Sequence, residues 1–277
     1  MPELKTWTAT RYVQPLREGG SLPAVVDTDG GGLFVVKFRG AGQGPKALVA
    51  ELVVGMVAGE LGLPVPELAL VEVLPSFGRS EPDPEIQDLL KASHGVNVGL
   101  GYLDGAFNFD ASAAGELATP DFAALLVWLD AFVTNPDRTA RNPNLMVWNG
   151  GLRLIDHGAA LYAHHDWGRV DEARTRSPFS LIKSHVLLAR SGDLEAADAR
   201  AAAALRDGVL GEILARVPDS LLADFPGADF GTAEEARERY ARYLGDRLRG
   251  PRAFVEEAMR AREQVLREPP RPLRARR

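Results

Sequence analysis

Between residues 9 and 38, short apolar runs broken by glycine predict three strands: Arg11–Leu16, Pro23–Asp27 and Leu33–Phe38. Asp29-Gly30-Gly31-Gly32 joins the last two as a hairpin turn, because glycine accepts the positive φ such turns need. Glu18-Gly19-Gly20-Ser21 forms a small flexible loop between the first two. After Gly40–Gly44, Pro45 opens a helix running to about Leu61 that is apolar nearly all round, so it should be buried on every side. Pro64 and Pro66 end it. A strand at Leu68–Leu74, a polar connection at Pro75–Glu85 and a strand near Asn97–Leu103 follow.

From Thr119 the spacing turns helical. Thr119-Pro120-Asp121 opens the run PDFAALLVWLDAFV, which stops at Thr134-Asn135-Pro136. A loop, Asp137–Asn144, leads into a hairpin: Leu145–Trp148, the turn Asn149-Gly150-Gly151, then Leu152–Asp156. Beyond Ser180 the chain reads as helices, including Glu234–Leu248 and Ala253–Leu266, and it ends in a basic, solvated tail, Arg267–Arg277. A strand-rich half with one buried helix therefore precedes a mainly helical half. The expected organisation is α+β with two lobes, 1–105 and 106–277, and a small ligand is expected in the cleft between them.

Composition narrows the function classes. The chain has 277 residues, 45% hydrophobic and 25% charged, which excludes whole-chain disorder or coiled coil. With no cysteine, thiolate chemistry and cysteine-ligated metals are excluded. A net charge of −6 argues against a nucleic-acid partner. The first residues lack the apolar core of a signal peptide and no 18-residue apolar run occurs, so the expected location is cytoplasmic. Only five of the 32 basic residues are lysine, which makes Lys37, inside the apolar run VVKF, stand out.

Four polar positions need a reason. Read alone, Lys37 is an edge-strand lysine whose stem packs while its ammonium reaches water. As chemistry it is a positive charge aimed at a phosphate. Glu51 interrupts the apolar helix, where a carboxylate is costly unless a cation pairs with it or the position is exposed. A Lys37–Glu51 pair would satisfy both. Asp137-Arg138-Thr139-Ala140-Arg141-Asn142-Pro143-Asn144 reads either as an Asx-rich turn or as a carboxylate that takes a hydroxyl proton beside an amide oxygen that coordinates Mg²⁺. Asp156 ends the strand LRLID as a turn residue or as a hard oxygen ligand for the metal; His157 after it is read as a turn residue.

Taken in order, the hairpin, strand lysine, helix glutamate, Asp-x4-Asn loop and strand-ending aspartate resemble a protein-kinase-like fold. VVKF, AELVVGMVAGELGLPVPE and NPDRTARNPNLMVWNGGLRLIDHG resemble the HipA-like kinases, which are related in design to the phosphatidylinositol 3/4-kinases. The resemblance covers roughly residues 10–190. It implies ATP and Mg²⁺ as cofactors and transfer of phosphate to a serine or threonine of a protein. It also implies Asp137 as the catalytic aspartate, Asn142 and Asp156 as metal ligands, Lys37 on the ATP phosphates with Glu51 as its partner, and Gly19, Gly20 and Ser21 as the loop over the phosphates. The adenine would lie near Gly101–Phe107. The loop Glu18–Ser21 departs from G-x-G-x-x-G, and Asp-His-Gly stands where Asp-Phe-Gly is usual, with His157 either stacking in the same place or, as read here, serving as a turn residue. The chain is shorter than the HipA toxins, so the chemistry is expected to carry over without the toxin role or its target.

Other readings use the same residues. The acceptor could be a small molecule such as an antibiotic, a sugar or a lipid headgroup, with a wide acidic pocket marking a cationic one. Alternatively, the chain is a nucleotide-binding pseudokinase that acts as a regulatory module with a protein partner. Ser177 and Ser180 follow Asp156 where kinases carry an activation segment. They are read as an ordinary loop, the alternative being phosphorylation paired with Arg174 or Arg176. His164-His165 are adjacent and expected to point apart, so no metal site is assigned to them.

Overall fold

The computed structural model of the chain describes residues 3–16, 22–79, 81–112, 115–206, 208–223 and 225–268. Gly19, Gly20 and Ser21 lie outside the described residues, as does the tail from residue 269.

The first hundred residues form β1 (Lys5–Pro15), β2 (Ala24–Thr28), β3 (Gly32–Lys37), α1 (Pro45–Glu60), β4 (Leu68–Val73), α2 (Pro84–Ala92) and β5 (Gly95–Gly101). The strands close into a barrel in the order β1-β2-β3-β5-β4, with β1 parallel to β4 and the other pairs antiparallel. Closure depends on the part of β1 that hydrophobic patterning missed. Lys5–Thr8 pairs with Ala69–Glu72, yet only Ala9 of this strand is buried, so its sequence carries almost no apolar signal. A second element missed by the reading is α2, where Asp83 caps the helix by accepting from Glu85 N–H at 2.9 Å. Only Leu90 of this helix is buried, where it plugs the barrel interior alongside Phe34, Val36, Val71 and Phe77.

In the β2–β3 turn only Gly32 has a positive φ, 79°. Gly30 and Gly31 are needed for a different reason: Trp7 lies on them, and a Cβ at Gly31 would stand 2.7 Å from its indole nitrogen.

The rest of the chain builds a larger apolar core. It contains β6 (Phe107–Asn108), α3 (Pro120–Phe132), β7 (Leu145–Trp148) and β8 (Gly151–Leu154), then α4 (Glu172–Thr175), α5 (Leu194–Ala204), α6 (Val209–Ala215), α7 (Asp219–Leu222), α8 (Ala233–Arg249) and α9 (Ala253–Arg267). β6, β7 and β8 form a small sheet whose β7–β8 turn uses Asn149 and Gly150 at φ 48° and 73°, the two positive values a type I′ turn requires. Residues 157–190 carry four short 3₁₀ turns besides α4. α1 belongs to this larger core: Leu48 through Ala58 are all buried, between β5 on one side and α6 and α7 on the other.

The barrel interior is tight at Gly99 of β5, where a Cβ would stand 2.8 Å from Val71 Cγ2 and 3.2 Å from Phe34. Gly99→Val should therefore overpack the barrel and lower stability by about 1–3 kcal/mol, read as a lower urea midpoint with an unchanged m-value. Wild-type stability in that variant would show that the barrel has slack.

Candidate active site

β3 ends at Lys37 and α1 packs back against the barrel, so strand and helix bring Lys37 and Glu51 together across 14 residues of chain. Lys37 Nζ donates to Glu51 Oε2 at 2.7 Å and to Asp156 Oδ1 at 2.5 Å. Glu51 is fully buried, and the same Oε2 also accepts the backbone N–H of His157 at 2.7 Å. One carboxylate thus fixes the strand lysine and the segment just after Asp156. Burial pulls the Lys37 ammonium pKa down, but Glu51 and Asp156 more than offset it and the net shift is upward. Burial raises the Asp156 carboxyl, and the Lys37 charge overcomes this and holds it below its ordinary value. Asp156 has φ 55°, a left-handed backbone uncommon outside glycine and costly to hold without surrounding support. Its side chain keeps 46% exposure, so the carboxylate faces both the lysine and open space.

A second buried carboxylate organises the loop after α3. Asp130, fully buried in α3, accepts from Arg138 Nε at 2.6 Å, from His185 Nε2 at 3.0 Å and from Asn135 Nδ2 at 2.9 Å. Burial alone would raise its pKa, but Arg138 and His185 hold it well below the usual carboxylate range. Asn135 Oδ1 in turn accepts the N–H of Asp137 at 3.1 Å. Asn142 and Asn144 both donate to Asp137 Oδ2, at 2.8 and 3.2 Å. This leaves Asp137 Oδ1 and the amide oxygen of Asn142 as acceptors on the loop.

Arg138 joins the two carboxylate systems. It is 1% exposed, donates to the Asn144 carbonyl, and lies 3.2 Å from His157 Nδ1. A guanidinium only donates, so His157 accepts at Nδ1 and carries its proton on Nε2. Burial, reinforced by Arg138, lowers its pKa to about 4 despite Glu51, which keeps it neutral. His157 is thus no turn residue on the surface: it is 1% exposed and anchored at backbone and ring.

These groups face a cleft of about 1460 Å³ lined by Lys37, Asn142, Asn144 and Asp156. The apolar side chains Val35, Leu100, Met146 and Ile155 form its walls, and the connection Gly101–Phe107 contributes Tyr102, Leu103 and Phe107. Asp137 stands behind Asn142 and Asn144 and is held by both. Among the described residues no three His, Cys, Asp or Glu side chains cluster as a metal cage. The oxygens that line the cleft include the Asp156 carboxylate and the Asn142 amide, both hard donors. Such a pair fits Mg²⁺, which commonly takes one or two protein ligands and completes its shell with substrate phosphates and water.

The structure brings Lys37, Glu51 and Asp156 into direct contact, and Asp137 into contact with Asn142. It adds Asp130, Asn135 and His185, which sequence reasoning passed over, and gives buried or bonded roles to Arg138, Asn144 and His157, which it had read as loop or turn residues. The strongest available signal was Asp130, a charge inside the otherwise apolar run LLVWLDAFV. One other expectation is corrected. His164 and His165 do not point apart: their Nε2 atoms are 3.2 Å from each other, and His164 Nδ1 is 3.0 Å from the Tyr240 hydroxyl. The Ser177 segment is already tethered, its carbonyl accepting from the buried Arg247 at 3.2 Å, while Arg176 is engaged with Glu172 and the Gly250 carbonyl.

A barrel lysine paired to a helix glutamate, facing an aspartate–asparagine loop across a cleft, defines a kinase. More narrowly, the chain belongs to the HipA-like kinase family, whose sequence model matches residues 10–177. Its fold is similar to the crystal structure of a Helicobacter pylori proinflammatory kinase, CtkA, with a TM-score of 0.54 and 13% identity over 95% of this chain and 99% of that one. No curated protein sequence matches it. Among the described residues no helix is long and apolar enough to cross a membrane.

Asp130→Asn should cost about 3–5 kcal/mol at neutral pH, because it strips the buried Arg138 of its counter-charge. Asp130 titrates near 3.8 in the unfolded chain and lower in the fold, so its contribution is complete above that value and lost as the pH falls towards the folded one. The gap between wild type and variant should close below about pH 4, measured by urea unfolding across a pH series. A gap independent of pH would show that Asp130 does not act through its charge.

Proposed function

We propose that the protein is a Mg²⁺- and ATP-dependent phosphotransferase acting on a hydroxyl, with a protein serine or threonine as acceptor. The observation that carries this reading is the convergence of Lys37, Asp156 and Asn142 on one cleft, with Asp137 bonded directly to Asn142. On this reading the kinase is two-lobed, with residues 1–105 the nucleotide-binding lobe and 106–277 the catalytic lobe. Bound Mg²⁺–ATP supplies the transferable phosphoryl group and the cationic charge that neutralises it.

The chain's own residues do the rest. The apolar walls at Val35, Leu100, Met146 and Ile155 receive the adenine against the Gly101–Phe107 connection. Lys37, kept charged and aimed by Glu51, meets the phosphates, and Asp156 and Asn142 present oxygens to the metal. The family resemblance assigns the phosphate loop to Gly19, Gly20 and Ser21, which lie outside the described residues. Asp137 takes the proton of the acceptor hydroxyl at Oδ1, since Oδ2 is already occupied by two amides. Catalysis is then mostly positioning and charge stabilisation. The acceptor assignment draws on family membership and on the charge of the cleft. Its lining combines Lys37 and Arg141 with Asp110 and Asp156, unlike the acidic pocket a cationic small acceptor would call for.

The test is transfer from γ-labelled ATP with Mg²⁺, following label on protein and as free phosphate, for wild type, Asp137→Ala, Asp156→Ala and Lys37→Ala. Wild type should transfer label. Asp137→Ala should lose at least about 100-fold in kcat while still binding ATP, whereas Asp156→Ala and Lys37→Ala also weaken the nucleotide. ATP binding without turnover in wild type, under conditions that supply protein acceptors, would favour the pseudokinase; absence of binding would remove the cleft assignment altogether.

A further inference from the structure

The catalytic-loop candidate 137–144 is held not only by α3 but also by a segment some 45 residues further along the chain. His185 and Thr139 form an isolated antiparallel bridge, and Val186 N–H donates to the Arg138 carbonyl at 3.0 Å. Between these backbone contacts the His185 ring, 7% exposed, reaches inward to Asp130. Its two nitrogens have different partners. Nδ1 accepts the Leu187 N–H at 3.1 Å, which fixes the proton on Nε2, and Nε2–H donates to Asp130 Oδ2 at 3.0 Å. Asp130 Oδ2 is the oxygen that also holds Arg138, while its Oδ1 holds Asn135, whose own side chain orients the N–H of Asp137. Val186 lines the cleft beside Ala140 and Arg141, so the segment that carries His185 also forms part of the wall next to the loop.

We propose that His185 is a positioning residue for phosphoryl transfer, fixing the Asp130–Asn135–Asp137 relay and docking the 180–190 segment onto the catalytic loop. The ring touches neither the nucleotide cleft nor Asp137, so its effect passes through Asp130. Burial lowers its pKa, partly countered by Asp130, which keeps it a neutral donor with one defined tautomer. The proposal rests on the kinase reading for its catalytic consequence, but the docking itself does not.

Two substitutions separate the two ring contacts. His185→Gln places an amide nitrogen near Nε2 and keeps the bond to Asp130 while giving up Leu187. His185→Asn places an amide oxygen near Nδ1 and keeps Leu187 while giving up Asp130. Both are compared with wild type by kcat and KM for ATP, by thermal midpoint, and by hydrogen–deuterium exchange of peptides spanning 135–144. His185→Asn should lose about 100-fold in kcat with little change in KM for ATP, and His185→Gln should stay within about tenfold of wild type. Exchange across 135–144 should rise about tenfold in the Asn variant only. Equal kcat losses in the two variants, losses that follow the thermal midpoint, or unchanged exchange in His185→Asn would overturn the proposal. If wild type shows no transfer at all, the kinase reading fails, and the exchange data alone then decide whether His185 docks the loop.

Discussion

The cleft depends on one oxygen atom buried in a helix. Glu51 Oε2 receives the ammonium of Lys37 from β3 and the backbone N–H of His157, residues that lie 14 positions before it and 106 positions after it. A carboxylate fully removed from water is expensive, and it is tolerated only where donors replace the lost solvent. Here the donors are the groups whose positions the cleft needs. Glu51 therefore converts the packing of α1 against the barrel into a fixed separation between the strand lysine and the strand-ending aspartate. Its other oxygen, Oε1, has no partner among the described residues, as does His157 Nε2, so the arrangement is held despite incomplete satisfaction.

The second carboxylate, Asp130, does for the loop what Glu51 does for the lysine. The two systems meet at the contact of Arg138 with His157, so a continuous set of buried polar contacts runs from Lys37 through Glu51, His157 and Arg138 to Asp130 and His185. Buried polar contacts of this kind are stronger than their solvent-exposed counterparts because the local dielectric is low. The consequence is geometric: the residues facing the cleft from the barrel and those facing it from the loop are referred to one shared frame, though they come from β3, α1, α3, the 135–144 loop and the 180–190 segment.

The hydrophobic pattern showed where most elements run, and chemistry-bearing residue types at fixed order pointed to the candidate site. VVKF, Glu51 in an apolar helix, Asp-x4-Asn and LRLID were each readable because each breaks a local rule. The parts that stayed hidden break none. The first half of β1 is half-exposed on both faces, and its partner β4 lies 64 residues further along, so no periodicity announces it. His157 and His185 look like loop residues because both lie outside the helices and strands and are buried by tertiary packing, not by a periodic face. Arg138 reads as a solvated charge until Asp130, eight residues earlier on the helix, is known to point at it.

The surroundings of α1 bear on how such an enzyme is controlled. In kinases whose corresponding helix moves, activity follows the making and breaking of the lysine–glutamate pair. In this chain that helix is buried from Leu48 to Ala58. Its outer side is closed by α6 and α7; Lys46 ties its N-terminal end to Asp229 at 2.8 Å, and Arg39, in the connection before it, donates to the Ser220 carbonyl at 3.1 Å. Swinging it outward would expose several large side chains, and fully exposing even three at roughly 1.5–3 kcal/mol each approaches the whole stability of an ordinary domain. The packing that buries α1 is thus the same packing that holds Glu51 against Lys37.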